Sequence, residues 1–208
     1  MRLLHSDPSS ASYRVRIALN LKGISAESVS LQLREGAQLD PVYAAINPQC
    51  LVPTLILDDG TAMTQSLAII DYLDETHPQP PFLPRDAEAR AWVRAMALSI
   101  ACDIHPLNNL RVLQYLENEL KHDGATVSTW YAHWVRLGFD AIERQLAKPP
   151  VIPGRFCCGD EPGLADICLV PQVRNARRYK VDLTAHPRIV AIDGACAELD
   201  AFRRARSG

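Results

Sequence analysis

The sequence predicts an α/β domain with a mixed β-sheet, followed by an all-α helical bundle. Up to residue 77, short apolar strand-like runs alternate with helical patterns, whereas beyond residue 86 almost every segment has helical periodicity. The intervening segment contains four prolines, which cannot continue a helix and which stiffen a linker. We therefore predict domains at 1–77 and 87–208, joined by a linker at 78–86.

The first four predicted elements alternate between strand and helix. Arg2–Leu4 is a short strand, and 9–22 has apolar residues at helical spacing with Gly23 after its end. In 28–33 apolar and polar residues alternate strictly, which predicts a half-buried strand. Ser66 is predicted to cap a second helix, because serine is a favourable cap residue.

Two strand-like runs, 54–57 and 61–64, flank Asp58-Asp59-Gly60. An Asp-Gly between two such runs is a strong hairpin signal. The element order is therefore βαβ followed by ββα. A crossover joins parallel strands and a tight hairpin joins antiparallel ones, so the sheet is predicted to be mixed.

Helical periodicity in the second half predicts a bundle of packed helices. The predicted helices are 87–104, 107–120, 127–146, 163–179 and 187–204.

Composition excludes several classes of protein. The net charge of -2 argues against a nucleic-acid-binding protein, which usually carries a basic excess. No apolar run reaches the roughly 18 residues that would span a membrane, and the amino terminus lacks the apolar core of a signal peptide. The six cysteines form no CxxC pair and no zinc-finger spacing, so we expect no metal. Because no signal peptide is recognised, we expect reduced thiols and a cytoplasmic location.

Five segments together resemble the zeta class of glutathione transferases across essentially the whole chain. They are the signature Ser-Ser-Ala-Ser-Tyr-Arg-Val-Arg-Ile-Ala-Leu at 9–19, the proline loop at 47–55, the turn at 65–70, the run at 102–109 and the motif at 159–173. The resemblance implies a thioredoxin-like first domain, glutathione as cofactor and a homodimer. It also implies isomerisation of a maleyl to a fumaryl compound, with maleylacetoacetate or maleylpyruvate as substrate.

Ser9 and Ser10 lie where the first helix begins. A helix amino terminus and hydrogen-bond donors lower the pKa of a thiol, so these residues suit a bound thiolate. The resemblance makes Ser9 the catalytic serine, with Ser10 beside it. The alternative is that Ser9 only caps the helix.

The resemblance also assigns the glutathione-binding residues. It implies a cis peptide bond between Val52 and Pro53, where a turn proline with a trans bond is the alternative. Backbone groups there are predicted to pair with the cysteinyl part as an added strand does. The residues assigned to glutathione are Gln38, at its glycine end, Leu51, Val52, Pro53, Gln65 and Ser66.

Gln65 and Ser66 precede a predicted helix, whose amino-terminal N–H groups suit the γ-glutamyl carboxylate. An ordinary helix cap is again the alternative. On the substrate side, Arg178 resembles the zeta-class arginine that binds a carboxylate, a task suited to the planar guanidinium. His105, Asn109 and Arg111 are predicted to flank the substrate, although a buried structural role stays open for His105.

Two positions depart from the zeta pattern. Pro8 replaces a basic residue before the catalytic serine, which removes one candidate carboxylate ligand. Ala11 replaces a frequent cysteine, which argues against chemistry based on a protein thiol. Asp166 is expected to be structural, in a capping box with Gly163. Two alternative functions stay open: a glutathione transferase acting on another electrophile, and a non-catalytic binding protein of the same fold.

Overall fold

The computed structural model describes residues 1–148 and 152–206. The chain forms two compact units, and the division between Pro81 and Phe82 falls inside the predicted linker. The first unit comprises Met1–Pro81 and the segment from Glu198 onward, whereas the second comprises Phe82–Ala197. The carboxy-terminal segment therefore packs with the first unit, which differs from the predicted domain at 87–208.

The first unit contains a four-stranded sheet of strand order β2-β1-β3-β4. Strand β1 is parallel to β2 and antiparallel to β3, and β3 and β4 form the predicted antiparallel hairpin, so the mixed sheet is confirmed. Its elements are β1 (Arg2–His5), α1 (Ser10–Lys22), β2 (Glu27–Ser30), α2 (Pro41–Ile46), β3 (Thr54–Ile56), β4 (Ala62–Thr64) and α3 (Ser66–Thr76).

Strand β2 ends earlier than the alternation at 28–33 predicts. Its partner β1 ends at His5, which pairs with Ser30, so the ladder has no strand to continue against. Leu31 still packs against the core, whereas Leu33 begins a short 3₁₀ turn. Helix α2 was not predicted, although Asp40 caps it and Pro41 is its first residue, which is a favourable helix start.

The carboxy-terminal helix α9 (Asp200–Arg206) joins the first unit through α1. Three α1 side chains donate hydrogen bonds to backbone carbonyls of α9, at 3.3, 2.9 and 2.9 Å for Tyr13, Arg16 and Asn20 respectively. The Ala205 carbonyl lies in the last turn of α9, where carbonyl oxygens lack an intrahelical donor and need an outside one. Because such pairing is invisible to periodicity, the sequence predicted a single helix at 187–204.

The second unit is helical, as predicted. In two places the helix widens into π-helical turns, at Ser99–Ile104 after α4 and at Tyr115–Glu119 after α5. Its α-helices are α4 (Ala87–Leu98), α5 (Leu110–Gln114), α6 (Gly124–Ala147), α7 (Leu164–Arg178) and α8 (Pro187–Ala197).

The start of α7 is fixed by Asp166, as the sequence predicted. One carboxylate oxygen accepts from the Gly163 amide and the other from the Cys157 amide, both at 2.9 Å. Burial raises the pKa of Asp166, and these two backbone donors oppose the rise. Asp166 therefore holds the loop before α7 against its first turn.

In the part of the chain that the structure describes, no helix combines the length and the apolar character needed to cross a membrane.

Candidate active site

Ser9 caps α1, and its geometry allows a second role. Its Oγ accepts a hydrogen bond from the Ser12 amide at 3.2 Å. Because the oxygen is the acceptor in this bond, the hydroxyl proton stays available to a ligand. The two interpretations of Ser9, as cap and as donor, are thus compatible.

Ser10 is the first residue of α1, and its side chain is 3% exposed. Its Oγ has no hydrogen-bond partner among the residues that the structure describes. A buried hydroxyl without a partner is costly, so such groups usually serve a ligand or bind water. At a helix amino terminus, where backbone N–H groups favour negative charge, the natural ligand is an anion.

The peptide bond between Val52 and Pro53 is cis, as predicted. The Leu51 carbonyl accepts hydrogen bonds from the side chains of Tyr43 and Asn47, which fix the loop before β3. The backbone amide and carbonyl of Val52 form no hydrogen bond to another described residue. They therefore remain available for strand-like pairing with a peptide ligand.

Gln38 is half-buried in the short 3₁₀ turn Ala37–Leu39. Its Oε1 is buried and has no hydrogen-bond partner within the described ranges. Gln38 Oε1 can therefore accept a hydrogen bond from a ligand. Its contact with the glycine end of glutathione stays a prediction.

Gln65 joins β4 to α3 and occupies the cap position of the helix, whereas the sequence predicted Ser66 as the cap. Gln65 adopts a φ of 68°, which is unusual for a residue with a side chain and is often found at ligand sites. Its Nε2 donates to Gln49 Oε1 at 2.8 Å. Ser66 is the first residue of α3 and is 6% exposed, and its Oγ accepts a hydrogen bond from Arg14 Nη1 at 3.3 Å.

Arg14 and Gln49 were not predicted as part of this site. Residues 10–19 of α1 are all buried, so the helix has no polar face on which a charged residue would be expected. This burial is known from the structure, so the sequence alone did not single out Arg14. For Gln49 there was no signal either, because its contact with Gln65 depends on the fold.

Arg178 is exposed at the carboxyl end of α7, in the second unit. Tyr131, which is 1% exposed, stacks on Tyr179 with ring centroids 3.6 Å apart. Burial raises the pKa of Tyr131, and the Tyr179 side chain adds to the rise, whereas the charge of Arg178 and the side chains of Gln172 and Asn175 oppose it. Arg178 forms no salt bridge to a described residue, so its guanidinium is available to an anion.

The other predicted substrate residues have different surroundings. His105 is half-buried between a π-helical and a 3₁₀ turn, and its amide donates to the Ile100 carbonyl at 2.9 Å. Asn109 caps α5 by accepting from the Arg111 amide at 3.2 Å. Arg111 is exposed. Capping α5 is a structural role for Asn109. The predicted ligand contacts of His105, Asn109 and Arg111 stay predictions.

Three of the six cysteines are poor candidates for nucleophiles. Burial raises the pKa of Cys157, Cys158 and Cys196, which disfavours the reactive thiolate. The position two residues after Ser9 is Ala11. Within residues 1–148 and 152–206, no cluster of three His, Cys, Asp or Glu side chains is arranged to hold a metal ion.

Two family models match the chain. The glutathione S-transferase amino-terminal domain matches residues 3–81, and the glutathione S-transferase carboxy-terminal domain matches residues 135–204.

Similar proteins extend this match over the full chain. A maleylpyruvate isomerase from Ralstonia sp is 49% identical over 99% of this chain and 96% of its own length. A holo structure of a bacterial zeta-class maleylpyruvate isomerase superposes with a TM-score of 0.95, at 48% identity over 99% of this chain and 96% of the other.

A third relative was solved with ligands. The maleylacetoacetate isomerase of Anaeromyxobacter dehalogenans 2CP-1 has a TM-score of 0.86, at 36% identity over 98% of this chain and 93% of its own. That structure holds dicarboxyethyl glutathione and citrate in its active site. This chain belongs to the glutathione S-transferase family and, within it, to the zeta class.

Proposed function

We propose that this protein is a glutathione-dependent cis–trans isomerase that converts a maleyl to a fumaryl compound, with maleylpyruvate or maleylacetoacetate as substrate. Relatives with both names support the reaction. The observation that carries the proposal is a set of buried or backbone polar groups in the first unit with unused hydrogen-bonding capacity. They are Ser10 Oγ, the Ser66 hydroxyl proton and the backbone of Val52.

These groups fit glutathione part by part. The amino terminus of α3 and the Ser66 hydroxyl suit the γ-glutamyl carboxylate. The backbone amide and carbonyl of Val52, which form no hydrogen bond within the described part of the chain, suit the cysteinyl amide groups, as an added strand would pair. Ser9 and Ser10, at the start of α1, suit the sulfur, and Gln38 is proposed to contact the glycine end.

When bound, glutathione supplies a thiolate whose reversible addition to the maleyl double bond leaves a single bond that rotates. Ser9 and Ser10 contribute hydrogen-bond donors that stabilise negative charge on sulfur, and the amino terminus of α1 adds a favourable field. Together they lower the pKa of a thiol from its ordinary value of about 8.5. Ser9 donates while its oxygen remains the cap of α1.

The substrate carries two carboxylates, and we propose that Arg178 binds one of them. Its planar fork of donors matches a carboxylate, and it forms no competing salt bridge to a described residue. His105, Asn109 and Arg111 are proposed to contribute to the same recognition. Pro8 offers no charge at the position where zeta enzymes usually carry a basic residue.

A spectrophotometric assay tests the function directly. Purified protein is offered maleylpyruvate and maleylacetoacetate, each with and without glutathione. Isomerisation of at least one substrate that depends on glutathione supports the proposal, and comparison of the two kcat/KM values identifies the substrate. Glutathione binding without isomerisation of either compound would refute the isomerase and favour another transferase reaction.

Assembly and location are parts of the same proposal. The zeta class suggests a homodimer, which light scattering coupled to size-exclusion chromatography tests. A cytoplasmic location agrees with the reduced thiols that this chemistry requires, and cell fractionation tests it.

A further inference from the structure

Arg14 is a buried arginine of α1 whose guanidinium contacts the first residue of α3. Its side chain is 1% exposed, and Nη1 lies 3.3 Å from Ser66 Oγ. Burying a guanidinium is costly unless the charge is used in hydrogen bonds or ion pairs. The contact with Ser66 places one such hydrogen bond at the amino terminus of α3.

The direction of this hydrogen bond is fixed by chemistry. Arginine only donates, so Ser66 Oγ is the acceptor, and the single hydroxyl proton of Ser66 must point elsewhere. Among the residues that the structure describes, Ser66 Oγ makes no hydrogen bond other than the one from Arg14. The contact thus makes the Ser66 hydroxyl a donor for an external acceptor.

We propose that Arg14 is a positioning residue for the γ-glutamyl carboxylate of glutathione and acts through Ser66. This inference rests on the glutathione site proposed above. A guanidinium that donates to a hydroxyl strengthens the hydrogen bond that the hydroxyl donates in turn. The amides at the start of α3 favour the same negative charge, so Arg14, Ser66 and the helix end act together on one carboxylate.

Calorimetric binding of two ligands tests this role. One is glutathione, and the other is γ-aminobutyryl-cysteinyl-glycine, which lacks the α-carboxylate of the γ-glutamyl residue. Loss of a charge-assisted hydrogen-bond chain is worth about 10-fold or more in affinity. Arg14→Gln is therefore expected to weaken glutathione binding by about 10-fold, and binding of the carboxylate-free ligand by less than about 3-fold.

A double-variant cycle shows whether Arg14 acts through Ser66. On a Ser66→Ala background, Arg14→Gln is expected to change glutathione affinity by less than about 2-fold, because the hydroxyl that it orients is gone. Additive losses, or equal weakening of both ligands by Arg14→Gln, would overturn the proposal and leave Arg14 a purely structural residue.

Two further variants serve as a control and as a replacement for an unfolded protein. Asn20→Ala removes a structural hydrogen bond from α1 to α9, and it is expected to leave the affinity for both ligands unchanged. Arg14→Met keeps the aliphatic stem but removes the donor, and it replaces Arg14→Gln, with the same expected results, if circular dichroism shows that the latter is unfolded. Failure of the wild-type protein to bind glutathione would contradict the proposed function itself, which separates the two hypotheses.

Discussion

Arg16 Nε donates a hydrogen bond to the Ala205 carbonyl at 2.9 Å and so joins α1 to the last helix of the chain. The same guanidinium contacts the carbonyls of Ser6 and Asp7, at 3.5 and 3.4 Å, in the segment that precedes Ser9. One buried side chain, 8% exposed, therefore holds α9 and the entry to α1 together. The carboxy-terminal helix belongs to the fold of the proposed glutathione site.

Replacing Arg16 by Met is expected to lower the free energy of unfolding by about 3 kcal/mol, because buried carbonyl oxygens lose their donor. Urea unfolding followed by circular dichroism measures the change. Arg204→Met is the matched control, since Arg204 is exposed and forms a salt bridge with Asp200 inside α9. That exposed pair is worth at most about 1 kcal/mol, so equal losses in the two variants would contradict the structural role of Arg16.

The contacts of His5 determine how the free energy of unfolding changes with pH. Its Nδ1 lies 3.0 Å from Arg16 Nη1, which can only donate, so Nδ1 is the acceptor and Nε2 carries the proton toward Ser28 Oγ at 2.6 Å. Burial lowers the pKa of His5 below 6.5, the charge of Arg16 lowers it further, and Asp7 opposes the shift. The folded protein thus requires a neutral His5.

As the pH falls below 6.5, His5 takes up a proton in the unfolded chain. In the folded protein it stays neutral until the pH reaches its lowered pKa. The free energy of unfolding is therefore expected to fall with acidification in that window, by at most about 1.4 kcal/mol per pH unit. His5→Asn, which keeps an acceptor for Arg16 but does not titrate there, is expected to flatten this slope in urea titrations at successive pH values. A slope unchanged in His5→Asn would refute the assignment, and the exposed His122→Asn serves as control.

The sequence predicted the mixed sheet, the hairpin and the start of α7, because these depend on local turn chemistry and short-range periodicity. The zeta class was suggested by the resemblance of its motifs. The sequence did not predict the break between α8 and α9, since apolar spacing continues across Glu198 and Leu199. Nor did it predict the contact of Arg14 with Ser66, 52 residues apart, because only the packing of α1 against α3 creates it. Local signals identified the serines as candidate site residues, whereas the contact that Arg14 makes with Ser66 could be found only from the fold.

The two serines at the start of α1 are expected to respond differently to substitution. Ser10→Ala removes a buried hydroxyl that has no partner among the described residues, so the free energy of unfolding should not fall. Because that hydroxyl is proposed to donate to sulfur, kcat should still fall by about 100-fold. Thermal melting and the isomerase assay measure the two effects, and a loss of stability without loss of activity would contradict the proposed role.

Ser9 combines a cap with a proposed donor, and two variants separate these roles. Ser9→Gly is expected to cost only a few tenths of a kcal/mol, because glycine is a tolerable cap, whereas Ser9→Ala should cost about 1 kcal/mol. Both remove the hydroxyl, so kcat is expected to fall by about 100-fold or more in each. If activity followed stability instead, with Ser9→Gly nearly fully active, Ser9 would be only a cap.

Arg177 and Arg178 are adjacent at the end of α7 and differ in their salt bridges. Arg177 forms a salt bridge with Asp193, whereas Arg178 forms none to a described residue. Arg178→Ala is therefore expected to raise the KM for the maleyl substrate by about 10-fold or more, because a carboxylate loses a charged, bidentate donor. The KM for glutathione and the melting temperature should stay near their wild-type values, since the side chain is exposed.

Arg177→Ala provides the matched control for Arg178→Ala and is expected to leave both KM values unchanged. Arg178→Lys should give an intermediate substrate KM, because lysine keeps the charge but loses the planar fork. Steady-state kinetics with each substrate varied in turn distinguishes these outcomes. If the substrate KM rose equally in Arg177→Ala and Arg178→Ala, the effect would come from the general positive charge at the end of α7, and the specific role of Arg178 would be refuted.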